Sequence, residues 1–129
     1  MIPVPVTALF AGVNALFSLA LAVSVTVERG KAKVFLGTGE SPALLRATRR
    51  HGNNAEYLAL ALVMLLIVEV SGGSSMVLHG IGGTLTAGRL LHAIGIGEKP
   101  VPTRALGAVL TWLAIAGASV YAIILGCAH

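Results

Sequence analysis

The sequence predicts an all-α integral membrane protein in which one domain, residues 1–129, forms a bundle of four transmembrane helices. The chain is 56% hydrophobic and only 11% charged, and its mean hydropathy is +0.89. A soluble domain carries about 25% charged residues, so the composition indicates a membrane protein. Four long apolar segments follow one another, and each can supply the roughly 20 helical residues that cross a bilayer. The basic residues cluster beside two of the three connections between these segments.

The apolar segments define the expected helices. They cover residues 4–27, 42–70, 76–96 and 105–127. The second segment begins with polar turns, where Ser41 and Pro42 form the pattern of an N-cap and a first helical residue. At 1.5 Å per residue this helix is roughly 43 Å long, so its first turns should lie outside the hydrocarbon. Thr103 is the expected N-cap of the fourth helix. The first segment is interpreted as a retained helix, because no basic residue precedes it as in a leader.

The basic residues predict the topology. They are Arg29, Lys31, Lys33, Arg46, Arg49, Arg50, Arg89, Lys99 and Arg104. The first six lie in or beside the connection between helices 1 and 2, and the last three lie toward the connection between helices 3 and 4. With four crossings, all of them fall on one side, which the positive-inside rule makes cytoplasmic. Both termini are then outside, and we expect a bacterial inner membrane. The pI of 9.9 reflects this asymmetry and does not indicate nucleic-acid binding.

Polar residues inside the apolar segments predict a site at the cytoplasmic end of the bundle. Arg49, Asn53 and Glu56 are spaced i, i+4, i+7 and therefore share one face of helix 2. Arg89 and His92 are spaced i, i+3 on helix 3. A charge near hydrocarbon is costly and is usually paired or functional. These helices therefore place polar groups at one depth of the bundle.

Two further arginines lie at the same predicted depth. Arg29 ends helix 1, and Arg104 opens helix 4, where a positive charge opposes the helix dipole. The free amides of a helix N-terminus together with a guanidinium bind anions well. The anion could be a carboxylate, a phosphate or a thiolate, and such surroundings would lower the pKa of a bound thiol. The sequence therefore predicts an anion site that includes Arg104.

Structural interpretations of the same residues remain open at this point. Glu56 can serve as a counter-ion for one of the arginines, and His92 can be a hydrogen-bonded packing residue. Asn14 is expected to form one interhelical hydrogen bond within the bundle. Glu69, near the opposite end of helix 2, is expected to be solvated. No His, Cys or carboxylate set has the spacing of metal ligands, so no metal site is predicted.

One motif resembles a known membrane family. The stretch RRHGNNAEYLALAL, residues 49–62, is similar to the helix 2 signature of the membrane-associated proteins in eicosanoid and glutathione metabolism, the MAPEG family. That signature has an arginine, an asparagine four residues later, a glutamate three residues after that, and often an aromatic residue. Arg49, Asn53, Glu56 and Tyr57 fit it.

Two further stretches support the resemblance by their order and spacing. GRLLHAIGI, residues 88–96, resembles the family's helix 3 segment, in which Arg89 and His92 have counterparts. PTRALG, residues 102–107, is similar to its helix 4 start, where an arginine activates glutathione. The resemblance implies a left-handed four-helix bundle that assembles as a homotrimer. It also implies that glutathione binds between neighbouring subunits, toward the cytoplasmic side.

The resemblance further implies roles for individual residues. Glutathione would be held by Arg29, Arg49, His51, Asn53, Glu56, Tyr57, Arg89 and His92. In this arrangement Glu56 accepts hydrogen bonds from the amino group of the tripeptide, and the arginines bind its carboxylates. Arg29 would come from the helix 1 of a neighbouring subunit. Arg104 would be the catalytic residue that stabilises the thiolate, which attacks an apolar electrophile arriving from the lipid.

Two positions depart from the eicosanoid-forming members and favour a bacterial-type member. Ile96 stands where those members often have a tyrosine, and Ala105 stands where the prostaglandin-forming branch has a serine. The predicted function is therefore a glutathione transferase or peroxidase that acts on apolar electrophiles. A non-catalytic scaffold or lipid-binding subunit is one alternative. A small proton-coupled transporter that uses Glu56 is another, although the neighbouring arginines would repel a cationic drug.

Overall fold

The computed structural model describes residues 3–97 and 102–128, and it places four α-helices in this part of the chain. The helices are α1 (Pro5–Ala32), α2 (Pro42–Val70), α3 (Ser75–Ile94) and α4 (Pro102–Cys127). The all-helical fold and the four expected helices are confirmed. The end of the bundle where α1 and α3 end and α2 and α4 begin is called the polar end below. The short turn predicted at 97–103, with Lys99, lies mostly outside the described residues.

The helix ends follow local sequence rules with one exception. The Ser41 side chain accepts a hydrogen bond of 3.2 Å from the backbone N–H of Leu44, and Pro42 is the first residue of α2, as predicted. Lys33 ends α1 in the left-handed conformation, with φ 54°. The prediction that Thr103 caps α4 is wrong. The helix begins at Pro102, whose fixed φ suits a first helical position, so Thr103 lies inside the first turn.

Three of the helices are long and apolar enough to cross a membrane: α1, α2 and α4. Their outer faces carry large apolar side chains that are widely exposed, among them Leu16, Leu19 and Ile123. Soluble proteins rarely expose apolar surface on this scale, whereas a bilayer accommodates it. The helix α3 is the shortest at 20 residues, and it carries the buried Arg89 and His92.

Glycines bring α3 and α4 into backbone contact. A Cβ atom added at Gly88 would lie 2.9 Å from the backbone N of Thr111, and one added at Gly107 would overlap the backbone of His92. A Cβ added at Gly95 would likewise overlap the backbone of Arg104. Small residues allow such close approach between membrane helices. The same contacts fix the end of α3 against the start of α4, where the predicted site residues lie.

Buried amide side chains connect α1 to its neighbours. The Asn14 Nδ2 donates to the Oγ1 of Thr86 on α3 at 2.8 Å and to the backbone O of Phe10 at 2.9 Å. The Asn54 Nδ2 donates to the Oγ of Ser18 at 2.6 Å, which joins α2 to α1. The predicted interhelical hydrogen bond of Asn14 is therefore confirmed.

The carboxylate of Glu69 caps the beginning of α1. Its Oε1 accepts from the backbone N–H of Val6 at 2.9 Å, and its Oε2 accepts from that of Thr7 at 2.6 Å. The expectation that Glu69 is simply solvated is wrong, because the first amides of α1 have no partner within the helix and the N-cap residue Val4 offers no side-chain acceptor. A negative charge at this position also complements the helix dipole.

We expect Glu69→Ala to lower the free energy of unfolding by about 0.5–2 kcal/mol, the usual cost of losing a helix cap. Thermal unfolding of the full chain in detergent, followed by circular dichroism, measures the change. Glu40→Ala is the matched control, because it removes an exposed carboxylate from a loop. Equal melting temperatures for the two variants would show that the cap contributes nothing.

We expect Gly107→Ala to destabilise the protein by about 1–3 kcal/mol, because the added methyl group overpacks the contact between α3 and α4. Gly117→Ala on the same helix is the control. An added Cβ there meets nothing within 4 Å, so the better helix propensity of alanine should leave stability unchanged or slightly raised. The same unfolding experiment compares them, and a Gly107→Ala variant as stable as Gly117→Ala would contradict the close contact.

Candidate functional site

A polar cavity opens at the polar end, between α2, α3 and α4. Its volume is about 430 Å³. It is lined by Asn53, Tyr57, Arg89, His92, Arg104, Ala105, Ala108, Thr111 and Trp112. We call it the main cavity. Its volume lies within the range of roughly 300–1,000 Å³ that is typical of sites for small molecules.

Arg89 is the most deeply buried charged group of the site. Its side chain is 1% exposed, and its Nη2 donates to the Oδ1 of Asn53 at 2.9 Å. Its Nη1 donates to the backbone O of Asn53 at 3.4 Å, and its Cζ lies 5.5 Å from the centroid of the Tyr57 ring. The Nε is buried, with no hydrogen-bond partner among the described residues. A cation in this position favours the binding of an anion.

Asn53 therefore has a definite structural role. The residue lies on the α2 face that the i, i+4, i+7 spacing predicted, and it supplies both protein acceptors that Arg89 uses. In the described part of the chain, no salt bridge joins Arg89 to a carboxylate. No carboxylate in this part of the chain therefore balances the charge of the guanidinium, which is held by neutral oxygen atoms and by the face of Tyr57.

Arg104 and His92 meet at the mouth of the main cavity. His92 is 7% exposed, near the end of α3, and Arg104 is exposed in the first turn of α4. The backbone contacts at Gly95 and Gly107 hold these two helix ends together. Arg104 therefore lies where the free amides of the α4 N-terminus also add positive potential.

A second cavity, of about 210 Å³, adjoins the main one. It shares Asn53, His92 and Arg104 with the main cavity and adds Arg46 and Arg49 to the lining. The two cavities thus form one polar groove with several cationic side chains. The lining role of Arg46 was not predicted, although its position three residues before Arg49 places it on the same face of α2.

Arg50 positions the groove without lining either cavity. Its Nε and Nη2 both donate to the backbone O of Ile96, at 2.9 and 2.6 Å. This carbonyl follows the last turn of α3, where backbone oxygens lack helical partners. The two hydrogen bonds therefore fasten the end of α3 to α2. From the sequence, Arg50 was predicted only to mark the cytoplasmic side of the bundle.

Glu56 lines a third, smaller cavity of about 170 Å³ with Arg49, Asn53, Thr48 and Gly52. Its side chain is exposed. Among the described residues, no salt bridge joins Glu56 to an arginine. The interpretation of Glu56 as a structural counter-ion thus finds no support in this structure, and the carboxylate remains exposed beside Arg49 and Asn53, which also line the groove.

The structure brings most of the predicted site residues together, but not all of them. Seven of the predicted residues line one or more of the three cavities: Arg49, Asn53, Glu56, Tyr57, Arg89, His92 and Arg104. His51 lies three residues before Asn54, on the side of α2 that packs against α1. Arg29 bonds to carbonyl groups of the segment that follows α1. The contribution of Arg29 to the site of a neighbouring subunit and the contact of His51 with glutathione stay predictions.

The wall of the main cavity that faces away from the polar end is apolar. Ala105, Ala108 and Trp112 line it together, and Trp112 is 55% exposed. These residues follow Arg104 on one face of α4, with Trp112 roughly 12 Å further along the helix. The place of Trp112 in the cavity was not predicted from the sequence, although its spacing from Arg104, i, i+4, i+8 through Ala108, puts it on the same face of α4.

Comparison with known proteins assigns the chain to a family. A sequence profile of the MAPEG family matches residues 7–124. The chain belongs to the MAPEG family. The resemblance stated from the helix 2 motif is therefore confirmed, and the matched range includes every predicted site residue of this MAPEG protein.

Two relatives of the chain are bacterial proteins, and a bacterial-type member of the family was predicted from the sequence. The inner membrane protein YecN of Escherichia coli strain K12 is 34% identical over 110 residues, which cover 85% of this chain and 84% of the relative. The inner membrane protein YecN of Escherichia coli O6:H1 matches with the same identity and coverage. No solved structure matches the chain significantly.

We expect Asn53→Leu to lower the free energy of unfolding by about 1.5–3 kcal/mol, because it removes the side-chain acceptor of a buried charge. The same substitution in an Arg89→Leu background should cost much less, because no charge remains to be satisfied. Thermal unfolding of the four proteins in detergent completes this double-mutant cycle. An equal cost in both backgrounds would show that the Arg89 contact is not what Asn53 stabilises.

Proposed function

We propose that this membrane protein of the MAPEG family binds glutathione and acts as a glutathione transferase or peroxidase on apolar electrophiles. The observation that carries the proposal is Arg89, a buried cation that faces a cavity of about 430 Å³ and is held by neutral groups alone. An anionic ligand in that cavity would balance its charge. Arg104 at the cavity mouth adds a second cation close to the N-terminus of α4.

The chemical groups of glutathione match those of the groove. The tripeptide carries two carboxylates, one amino group and one thiol. Arg49 and Arg89 offer guanidinium groups to the carboxylates, which they can bind with paired hydrogen bonds. The exposed carboxylate of Glu56 offers an acceptor to the amino group. Tyr57, His92 and the remaining groove residues would complete the binding surface.

Arg104 would supply the catalytic step by stabilising the thiolate form of glutathione. A guanidinium and the amides of a helix N-terminus both favour a negative sulfur over a protonated one. In conjugation, the sulfur would form a bond to the electrophilic carbon while the leaving group departs with its electron pair. The thiol proton would pass to water. The apolar wall formed by Ala105, Ala108 and Trp112 would hold the electrophile beside the sulfur.

We also propose an assembly and an orientation. In a homotrimer, the groove would lie against a neighbouring subunit, from which Arg29 would contribute, while His51 would lie at the rim beside the other α2 residues. All four helices would cross the membrane, with Arg89 and His92 of α3 facing the inside of the bundle. The polar end would face the cytoplasm, since the basic residues gather there, and both termini would lie outside. The names of the curated relatives support an inner membrane.

A second candidate function shares the same observation. A non-catalytic scaffold or lipid-binding subunit would also use the buried Arg89, with an anionic headgroup as the ligand. Arg104 would also attract such a headgroup, but a lipid ligand has no thiol to ionise. Turnover that depends on Arg104 therefore separates the two candidates.

We expect glutathione to raise the melting temperature of the full chain in detergent, because a ligand that binds only the folded state stabilises it. We expect Arg104→Ala to reduce the rate of glutathione conjugation with an apolar halo-aromatic electrophile by about 100-fold, the usual cost of losing one donor that stabilises a developing anion. Arg104→Lys is the matched control and should retain part of the activity, since it keeps a positive charge.

Two results would overturn the proposal. The binding part fails if glutathione leaves the melting temperature unchanged. The catalytic part fails if glutathione binds but the conjugation rate is the same for the Arg104→Ala variant and the parent protein. The mass of the protein in the same detergent tests the assembly, and a monomer that binds glutathione would remove the intersubunit part.

A further inference from the structure

The segment that connects α1 to α2, residues 33–41, presents two apolar side chains outward. We call it the α1–α2 loop. Phe35 is 94% exposed and Leu36 is 90% exposed, more than any other large apolar residue that the structure describes. Neither residue lines the main cavity or the second cavity, so the proposed function does not explain their exposure.

The α1–α2 loop is held in a defined conformation. Lys33 adopts the left-handed conformation that ends α1 and reverses the chain. The Arg29 Nη1 then donates to the backbone oxygens of Val34, Phe35 and Gly37, at 3.2, 3.2 and 2.9 Å. The exposure of Phe35 and Leu36 therefore belongs to an ordered turn whose carbonyl groups are satisfied from within.

Cationic side chains surround these apolar residues. A cavity of about 530 Å³ lies beside the loop, and it is lined by Arg29, Gly30, Lys33, Val34 and Phe35. The side chain of Lys31 is 66% exposed even though its Nζ contacts Glu28 at 2.6 Å. The surface thus combines an apolar floor with a positively charged rim. This combination suits an amphiphile with an anionic head and an acyl tail.

The position of the loop along α1 fits the headgroup layer of a bilayer. Glu28 is the first charged residue of α1, so the hydrocarbon boundary lies near it. Lys33 is about 8 Å further along the helix axis. The headgroup region is roughly 5–8 Å deep on each side of the hydrocarbon, so the loop lies where lipid phosphates are found.

We propose that the α1–α2 loop is a binding site for an anionic phospholipid. Lys31 and Lys33 contact the lipid phosphate, while Phe35 and Leu36 insert among the acyl chains. A second copy of the same loop is a poorer occupant, because two surfaces rich in lysine and arginine repel each other. The site uses Lys31, Lys33, Phe35 and Leu36, none of which belongs to the proposed glutathione site, so it persists whether or not the protein has transferase activity.

Titration of phosphatidylglycerol into the full chain in detergent, followed by the rise in melting temperature, measures this binding. We expect Lys31→Gln/Lys33→Gln to need roughly 25-fold more phosphatidylglycerol for half of the effect, since each lysine near an anionic surface contributes about fivefold. Lys31→Arg/Lys33→Arg keeps both charges and should behave like the parent protein. Equal midpoints for the Gln variant and the parent, or an equal response to phosphatidylcholine, would overturn the proposal.

A nitroxide label at position 36 tests the insertion of the loop. The labelled protein carries Leu36→Cys in a Cys127→Ser background, and it is reconstituted into nanodiscs. We expect the label to become more accessible to oxygen and less accessible to a water-soluble nickel complex when phosphatidylglycerol is present. A label introduced by Met76→Cys, which is exposed and lies at the other end of the bundle, should not respond to lipid charge. Unchanged accessibility at position 36, or protection from both reagents, would show that lipid does not cover the loop.

Discussion

The placement of one buried guanidinium constrains the rest of this bundle. Arg89 is held by two oxygen atoms of Asn53 and by the face of Tyr57, both on α2. These contacts fix how α3 is rotated and how far it is shifted along α2. A helix that buries a charge must turn its polar groups into the bundle, so Arg89 and His92 face the neighbouring helices while apolar residues of α3 such as Met76 and Ile94 face outward.

The site depends equally on how closely α3 approaches α4. Gly88 and Gly107 remove the side chains that would separate the two backbones, and Gly95 lets the start of α4 lie against the end of α3. His92 and Arg104 meet at the cavity mouth as a result. Packing and chemistry are therefore coupled here, because the glycines that allow the α3–α4 contact also place His92 beside Arg104. The groove is therefore formed directly where α3 and α4 pack against each other.

Sequence patterns predicted the parts of the fold that depend on local rules. The four helices followed from apolar length, and the start of α2 followed from Ser41 and Pro42. The i, i+4, i+7 spacing correctly placed Arg49, Asn53 and Glu56 on one face, because helical periodicity needs no knowledge of neighbours. Such rules could not predict the pairing of Arg89 with Asn53, because it depends on how α3 is aligned with α2. The cap that Glu69 forms was missed for the same reason: its partners lie on another helix.

That cap has a consequence for the order in which the protein is made. The amides at the start of α1 are satisfied by a carboxylate that lies 62 and 63 residues later in the chain. When α1 first enters the membrane during synthesis, α2 does not yet exist, and these amides depend on water. They gain their protein partner only when the far end of α2 reaches the same side of the bilayer. The first two helices thus reach their final stability as a pair, and α1 gains its last hydrogen bonds from the completed hairpin.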